Sequence, residues 1–356
     1  MLRVKTEGAL PSARVLDAPG GFCWWYAEVH DPARERALVV IWSFGLPFLP
    51  GLAHAARSGR ATAARARPSV CVALYEGGRE AFYVLHELAA DHADVHDDDG
   101  VLRARFGRSS LTIDRARGQL DAYLDVPCPG GAVTGSLSLV GTPVVVDADP
   151  LPACDHAWCP LVLPATGRAS LSLSGAPFAC EGAAYLDHNE STRPLHDLGI
   201  ARWVWGRAPV DDDEVIFYAL SPDDGTAPHA HAFTVDGTGR LATLRGAEVA
   251  IDDEGPSLFG LRGVRRAAVS LDGRARLTLD VTHLVDDGPF YQRALARSAD
   301  GQHGSLEVIA PHRIDLSGWR PLVRMRVSSE TRSNSVFLPL FAGPRAGRVA
   351  RLFGRG

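Results

Sequence analysis

Short runs of β-branched and aromatic residues, spaced by turn dipeptides, confine this chain to an all-β architecture. Ala37 to Phe44, Ser69 to Tyr75 and Ala81 to His86 are such runs. Val133 to Leu139 and Ala169 to Ser174 alternate apolar and small polar residues with period two, as half-buried strands do. Turn signals separate them at Asp99-Gly100, Asp224-Gly225, Asp236-Gly237, Asp272-Gly273 and Asp287-Gly288. One window, Leu52 to Ala66, has helical composition, but Ser58-Gly59 is a poor helix interior, so a connecting arm fits it equally well. Many short strands with regular turns predict antiparallel sandwiches or barrels, and 356 residues suit two of them. Breaks in the strand rhythm fall at Thr142 to Pro164 and at Ala208 to Asp213. Placing the boundary at the second gives units 1–208 and 209–344, followed by a tail, 345–356.

Charge and cysteine usage narrow the function. A net charge of −5 offers no general attraction for nucleic acid. The exception is the Arg-rich tail from Arg345 to Arg355. It can touch an anionic membrane surface or lie frayed in solvent, and the second is the simpler expectation. Met1 to Glu7 lacks the apolar stretch of a secretory signal, and no apolar run approaches the ~20 residues that span a bilayer. A soluble, cytoplasmic protein is expected. The six cysteines contain no CxxC pair and read as free, mostly buried thiols.

The candidate chemistry sits in three short segments. Residues two apart on a strand share a face. Tyr185 with Asp187, and His156 with Trp158, therefore form same-face pairs, and Trp203 and Trp205 form a third. A carboxyl among aromatic rings has its proton affinity raised by desolvation and can donate a proton near neutral pH. Indole and phenol faces then shelter a carbocation, at ~2 kcal/mol or more when desolvated. On this reading Asp187 is the acid, Trp158 and Tyr185 shelter the cation, and His156 positions or deprotonates water. Trp24, Trp203 and Trp205 would line an apolar tunnel. The plainer reading is a strand-end Asp-His-Asn turn, a satisfied core histidine and ordinary core aromatics.

Other motifs are weaker. His229 and His231 share a strand face but lack a third metal ligand nearby, so an exposed hairpin is expected and no metal site. The acidic run Asp91 to Asp99 lacks EF-hand spacing and reads as a solvated loop. GxGxxG, phosphate-loop and GxSxG patterns do not occur, so dinucleotide, nucleotide and serine-hydrolase chemistry lose their usual support.

Four segments, Trp24-Trp25-Tyr26, His156-Ala157-Trp158, Tyr185 to Asn189 and Trp203 to Arg207, resemble the carotenoid 1,2-hydratase (hydroxyneurosporene synthase) family and its lipocalin-like relatives. A looser match continues through Phe290 to Arg293, Gly304, Glu307, Arg313 and Met325-Arg326. The resemblance implies two tandem lipocalin-like β-barrels and cofactor-free addition of water to a terminal isoprenoid double bond. It implies Asp187 as proton donor, with His156, Trp158 and Tyr185 around it. Leu186 stands where the family often has His, and Glu190-Ser191-Thr192 replaces a Gly-containing continuation. Relatives of the fold include cyclases of natural-product pathways. Three readings follow: a hydratase of an apolar isoprenoid or polyene, an acid-initiated cyclase of a polyene or polyketide-derived alkene, and a carrier of a hydrophobic ligand.

Overall fold

A computed structural model describes residues 2–5, 8–128, 130–147, 155–331 and 343–344. The strands begin β1 Arg3–Val4, β2 Phe22–Asp31, β3 Arg36–Phe44, β4 Pro68–Glu76, β5 Arg79–Glu87, β6 Ala93–Asp98, β7 Val101–Phe106 and β8 Ser109–Asp114. Next come β9 Gln119–Cys128, β10 Gly131–Pro143, β11 Val145–Val146, β12 His156–Leu173, β13 Ala176–Ser191, β14 Ile200–Val210, β15 Asp213–Pro222 and β16 His229–Val235. The last are β17 Arg240–Thr243, β18 Glu248–Pro256, β19 Arg262–Leu271, β20 Arg274–Asp287, β21 Tyr291–Ser298, β22 His303–Ile309, β23 Val327–Ser329 and β24 Gly343–Pro344. Three short helices, α1 Ala13–Asp17, α2 Leu52–Arg57 and α3 Arg320–Met325, lie between strands.

The strands make two curled sheets, as the all-β pattern predicts. The first runs β23-β5-β4-β3-β2-β13-β12-β10-β9-β8-β7-β6, and the second β11-β17-β16-β15-β14-β22-β21-β20-β19-β18. Nearly all pairings are antiparallel hairpins. Three are parallel: β1 lies along β12 in the first sheet, while β11 joins the second sheet beside β17 and β23 returns to the first beside β5, stitching the halves together.

Each sheet curls round its own apolar interior. The first encloses Trp25, Trp42, Leu38, Phe106 and Leu186, and the second Val204, Phe217, Leu279 and Leu306. A third core lies between them, built from Phe22, Trp24, Tyr26, Trp158, Tyr185, Trp203, Trp205 and Tyr218. The alternation of side chains along a strand explains the division. On β2, Cys23, Trp25 and Ala27 point into the first interior while Phe22, Trp24 and Tyr26 point at the second sheet. All ten residues of β2 are therefore buried. Strands away from this contact keep one wet face, as β7 does.

Several details differ from the sequence reading. Leu52 to Ala66 is neither one helix nor a plain arm. Its helix stops at Arg57, where Gly59 takes the left-handed φ of +66°, and a 3₁₀ turn covers Ala64–Ala66. Within the acidic run, Ala93–Asp98 is a strand at the edge of the first sheet. Its charges stay in water, the usual protection for an unpaired edge. The chain changes sheet between Ser191 and Ile200. The stretch 208–213, where the sequence rhythm suggested a boundary, holds the turn between β14 and β15. Leu163-Pro164 lies inside β12, whose register on β13 shifts at two irregularities that absorb the prolines. His229 and His231 stand on β16, and no set of three or more metal-ligating side chains gathers among the described residues. Cys23, Cys71, Cys128, Cys159 and Cys180 are free thiols, while Cys154 and the tail 345–356 lie outside the described residues. No helix among the described residues is long and apolar enough to cross a membrane.

Candidate active site

Asp187 lies on the β13 face that meets the second sheet. Its cross-strand partners are Pro160 on β12 and Tyr26 on β2. The carboxyl is only 4% exposed and is held by three donors. The Tyr185 hydroxyl donates to Oδ2 at 2.8 Å, and the Trp158 indole donates to the same oxygen at 2.9 Å. Asn189 Nδ2 donates to Oδ1 at 3.0 Å. Tyr185 and Trp158 thus meet on this carboxyl, while His156 reaches Asn189 and not Asp187.

Burial pushes the Asp187 carboxyl up to about 7, against the pull of the Tyr185, Trp158 and Asn189 donors. The nearby Glu307 carboxylate raises it further. Desolvation wins because the surroundings are rings and not water. Tyr26 stands edge-on to Tyr185 at 6.0 Å and to Trp205 at 6.0 Å, and Trp205 lies 5.5 Å from Tyr185. Asp187 can therefore carry a proton at neutral pH and still be stabilised once it has lost it.

His156 is fully buried, with its ring 4.6 Å from that of Trp203. Its Nε2 lies 3.0 Å from Asn189 Oδ1. Burial drives the imidazole down to about 3, only partly opposed by the Asn189 contact. The ring is thus neutral, and the Nε2–H donates to the amide oxygen.

A pocket opens beside this cluster. It holds about 860 Å³ of space free of protein atoms, its mouth included. Trp24 and Tyr26 from the first sheet face Phe290, Tyr291, Arg293 and Glu307 from the second half across it. Trp24 is thus on the pocket wall. Asp187, His156, Trp158, Tyr185, Trp203 and Trp205 lie behind that wall, in the core between the sheets. Tyr26, the ladder partner of Asp187, is the link between the acid cluster and the pocket.

Sequence reasoning gave no role to the charged residues beside this wall. Glu28, on the same face of β2 as Tyr26, accepts from Arg207 Nε at 2.7 Å and from Tyr26 at 2.6 Å. Arg207 also pairs with Glu214, and its guanidinium sits 4.9 Å above the Tyr185 ring. Arg293 pairs with Glu28 and Glu307 and donates to the Tyr26 hydroxyl. Burial would raise the Glu28 carboxyl, but Arg207, His30 and Arg293 outweigh it and hold it well below the usual carboxylate range. Burial keeps Glu307 above that range despite Arg293. The signal available in the sequence was Arg207, Arg293 and Glu307 standing in apolar strands, where an unpaired charge would be too costly.

Known proteins agree with this architecture. A model of the carotenoid hydratase CrtC family matches residues 57–334, more than half of the chain. His156, Trp158, Asp187, Arg293 and Glu307 fall within that span. A protein named hydroxyneurosporene dehydrogenase, from Chlorobaculum tepidum, is 24% identical over 315 residues, 82% of this chain and 81% of its own. Among solved structures, a protein assigned as AttH from Nitrosomonas europaea superposes with a TM-score of 0.56 at 17% identity, over 86% of this chain and 98% of that one. CghA with Sch210972 gives a TM-score of 0.57 at 12% identity, over 86% and 94%. These two share the fold. With a family model matching more than half of its length, the chain belongs to the carotenoid hydratase CrtC family.

Proposed function

We propose that this hydratase adds water across a C=C bond of an apolar isoprenoid or polyene, with Asp187 as the acid. The observation that carries this reading is the Asp187 carboxyl, sealed among Tyr185, Trp158 and Asn189 and pushed by burial up to about 7. The alkene end reaches the acid past Tyr26, which stands between the pocket and Asp187, and Asp187 transfers its proton to the less substituted alkene carbon, leaving a tertiary cation. The faces of Tyr26, Tyr185 and Trp205 shelter that cation. The three donors then stabilise the carboxylate that has formed, so the charge separation is met on both sides. Water attacks the cation and gives a tertiary alcohol. His156, neutral and hydrogen-bonded to Asn189, acts by holding that amide in place. Trp203 backs His156.

The test is turnover of an acyclic polyene with a terminal isopropylidene group in H₂¹⁸O. Label in a new hydroxyl supports hydration. A product of unchanged mass would instead support ring closure, in which an internal π-bond reaches the cation before water. A ligand recovered intact after long incubation would support a carrier.

A further inference from the structure

Hydration needs a place for the proton that the attacking water must lose. Asp187 has just become a carboxylate behind the pocket wall, and His156 is buried with no pocket surface. Two carboxyls do line the pocket, Asp286 and Glu307. Both oxygens of Asp286 are taken by Arg326, at 2.8 and 3.4 Å, whereas the Tyr26 and Arg293 contacts of Glu307 fall on one oxygen, Oε1. Glu28 and Glu214 are buried around Arg207, off the pocket.

Glu307 is placed differently. It lies on β22, opposite Trp205 on β14 and Arg293 on β21. Its Oε1 sits 3.1 Å from the Tyr26 hydroxyl and is ion-paired to Arg293. Tyr26 in turn faces Asp187 across the β2–β13 ladder. Two carboxyls from opposite sheets therefore flank one tyrosine, and the one on the second sheet has pocket surface. Arg293 orients it, and the Tyr26 hydroxyl, whose proton points at Glu28, lies against one of its oxygens.

We propose that Glu307 is the base of the hydration, holding the attacking water in the pocket and taking its proton as the C–O bond forms. This rests on the reading of Asp187 as the acid. The proton balance is complete. Asp187 gives H⁺ to the alkene, water adds to the cation, and the oxonium proton passes to Glu307. One proton has moved from Asp187 to Glu307, and its return through solvent resets the pair. No oxidant or co-reactant is required. The working enzyme has one proton shared between two carboxyls, a coupled pair.

The experiment runs the wild type, Glu307→Gln and Asp187→Asn in D₂O. It follows alcohol formation together with deuterium washed into recovered alkene. Protonation and its reversal need only the acid, whereas alcohol needs the base. Glu307→Gln should lower alcohol formation about 100-fold, the low end for a general base, while deuterium still enters the alkene. The alcohol-to-exchange ratio is read because it does not depend on the folded fraction. Glu307→Asp, with a shorter carboxylate, should give an intermediate ratio. An unchanged ratio in both Glu307 variants would overturn the assignment, as would loss of exchange in step with alcohol. Asp187→Asn should lose both signals. If it kept both, the reading of Asp187 itself would fail, an outcome distinct from failure of the base.

Discussion

Asn189 joins His156 to Asp187: its amide nitrogen donates to the carboxyl at 3.0 Å, and its oxygen faces the imidazole Nε2 at 3.0 Å. A neutral histidine thereby fixes which end of the amide points at the acid. Only the nitrogen end can stabilise the ionised carboxyl, so the orientation favours Asp187 after it has released its proton.

Replacing Asn189 with Leu removes that donor. Its loss should raise the proton affinity of Asp187, because the Asn189 contact is one of the forces pulling it down. The alkaline limb of the pH–rate profile should move to higher pH, and kcat should fall about tenfold, the cost of one charge-assisted hydrogen bond. A limb that stays in place would show that Asn189 does not sense the charge on Asp187.

Asp187→Asn should reduce turnover by a factor of about 10² to 10⁴, the usual worth of a positioned acid. It should also change how stability depends on pH. The folded carboxyl is raised from its ordinary 3.8 to about 7. Its contribution is therefore fully present below about pH 4 and is lost as pH rises through 7. That interval corresponds to a loss on the order of 4 kcal/mol. Denaturant midpoints taken from pH 4 to pH 8 should fall more steeply for the wild type than for the Asn variant. Parallel curves would remove the raised acid from the argument.

Arg207→Met leaves Glu28 and Glu214 buried without one of their cations. Breaking a buried pair from one side costs about 3–5 kcal/mol. Chemical denaturation should show this as a lower midpoint with an unchanged slope. Adding Glu28→Gln should recover part of the loss, since the orphaned charge goes with it. No recovery would mean that guanidinium packing on Tyr185, and not charge pairing, sets the cost.

Ala73→Phe inserts a ring into the pocket wall without touching the acid cluster. KM for a long polyene should rise at least tenfold, while a short isoprenoid is converted nearly as before. The pH dependence of stability should match that of the wild type. Equal effects on both substrates would place the long chain elsewhere.

What was legible in the sequence was local. Tyr185 with Asp187, and His156 with Trp158, could be paired because strand geometry fixes residues two apart. The half-exposed strand β10 announced itself by the alternation of Val133 to Leu139. β2 did not, because both of its faces are covered and every residue is buried. The contact between the sheets was therefore hidden, and with it the location of the acid outside either interior. Glu28 meets Arg207 across 179 positions and Arg293 across 265. No spacing rule reaches that far, although isolated Arg and Glu residues in apolar strands hinted that partners existed.

The reacting surface is a seam, with Asp187 and Tyr26 contributed by one sheet and Trp205, Arg293 and Glu307 by the other. Descent should act on the two halves unequally. Each barrel's own filling is free to drift so long as its volume is kept, but the facing strands must change in concert. A chimera that borrows β14 to β22 from a distant relative would inherit a sound shell and a mismatched reaction chamber.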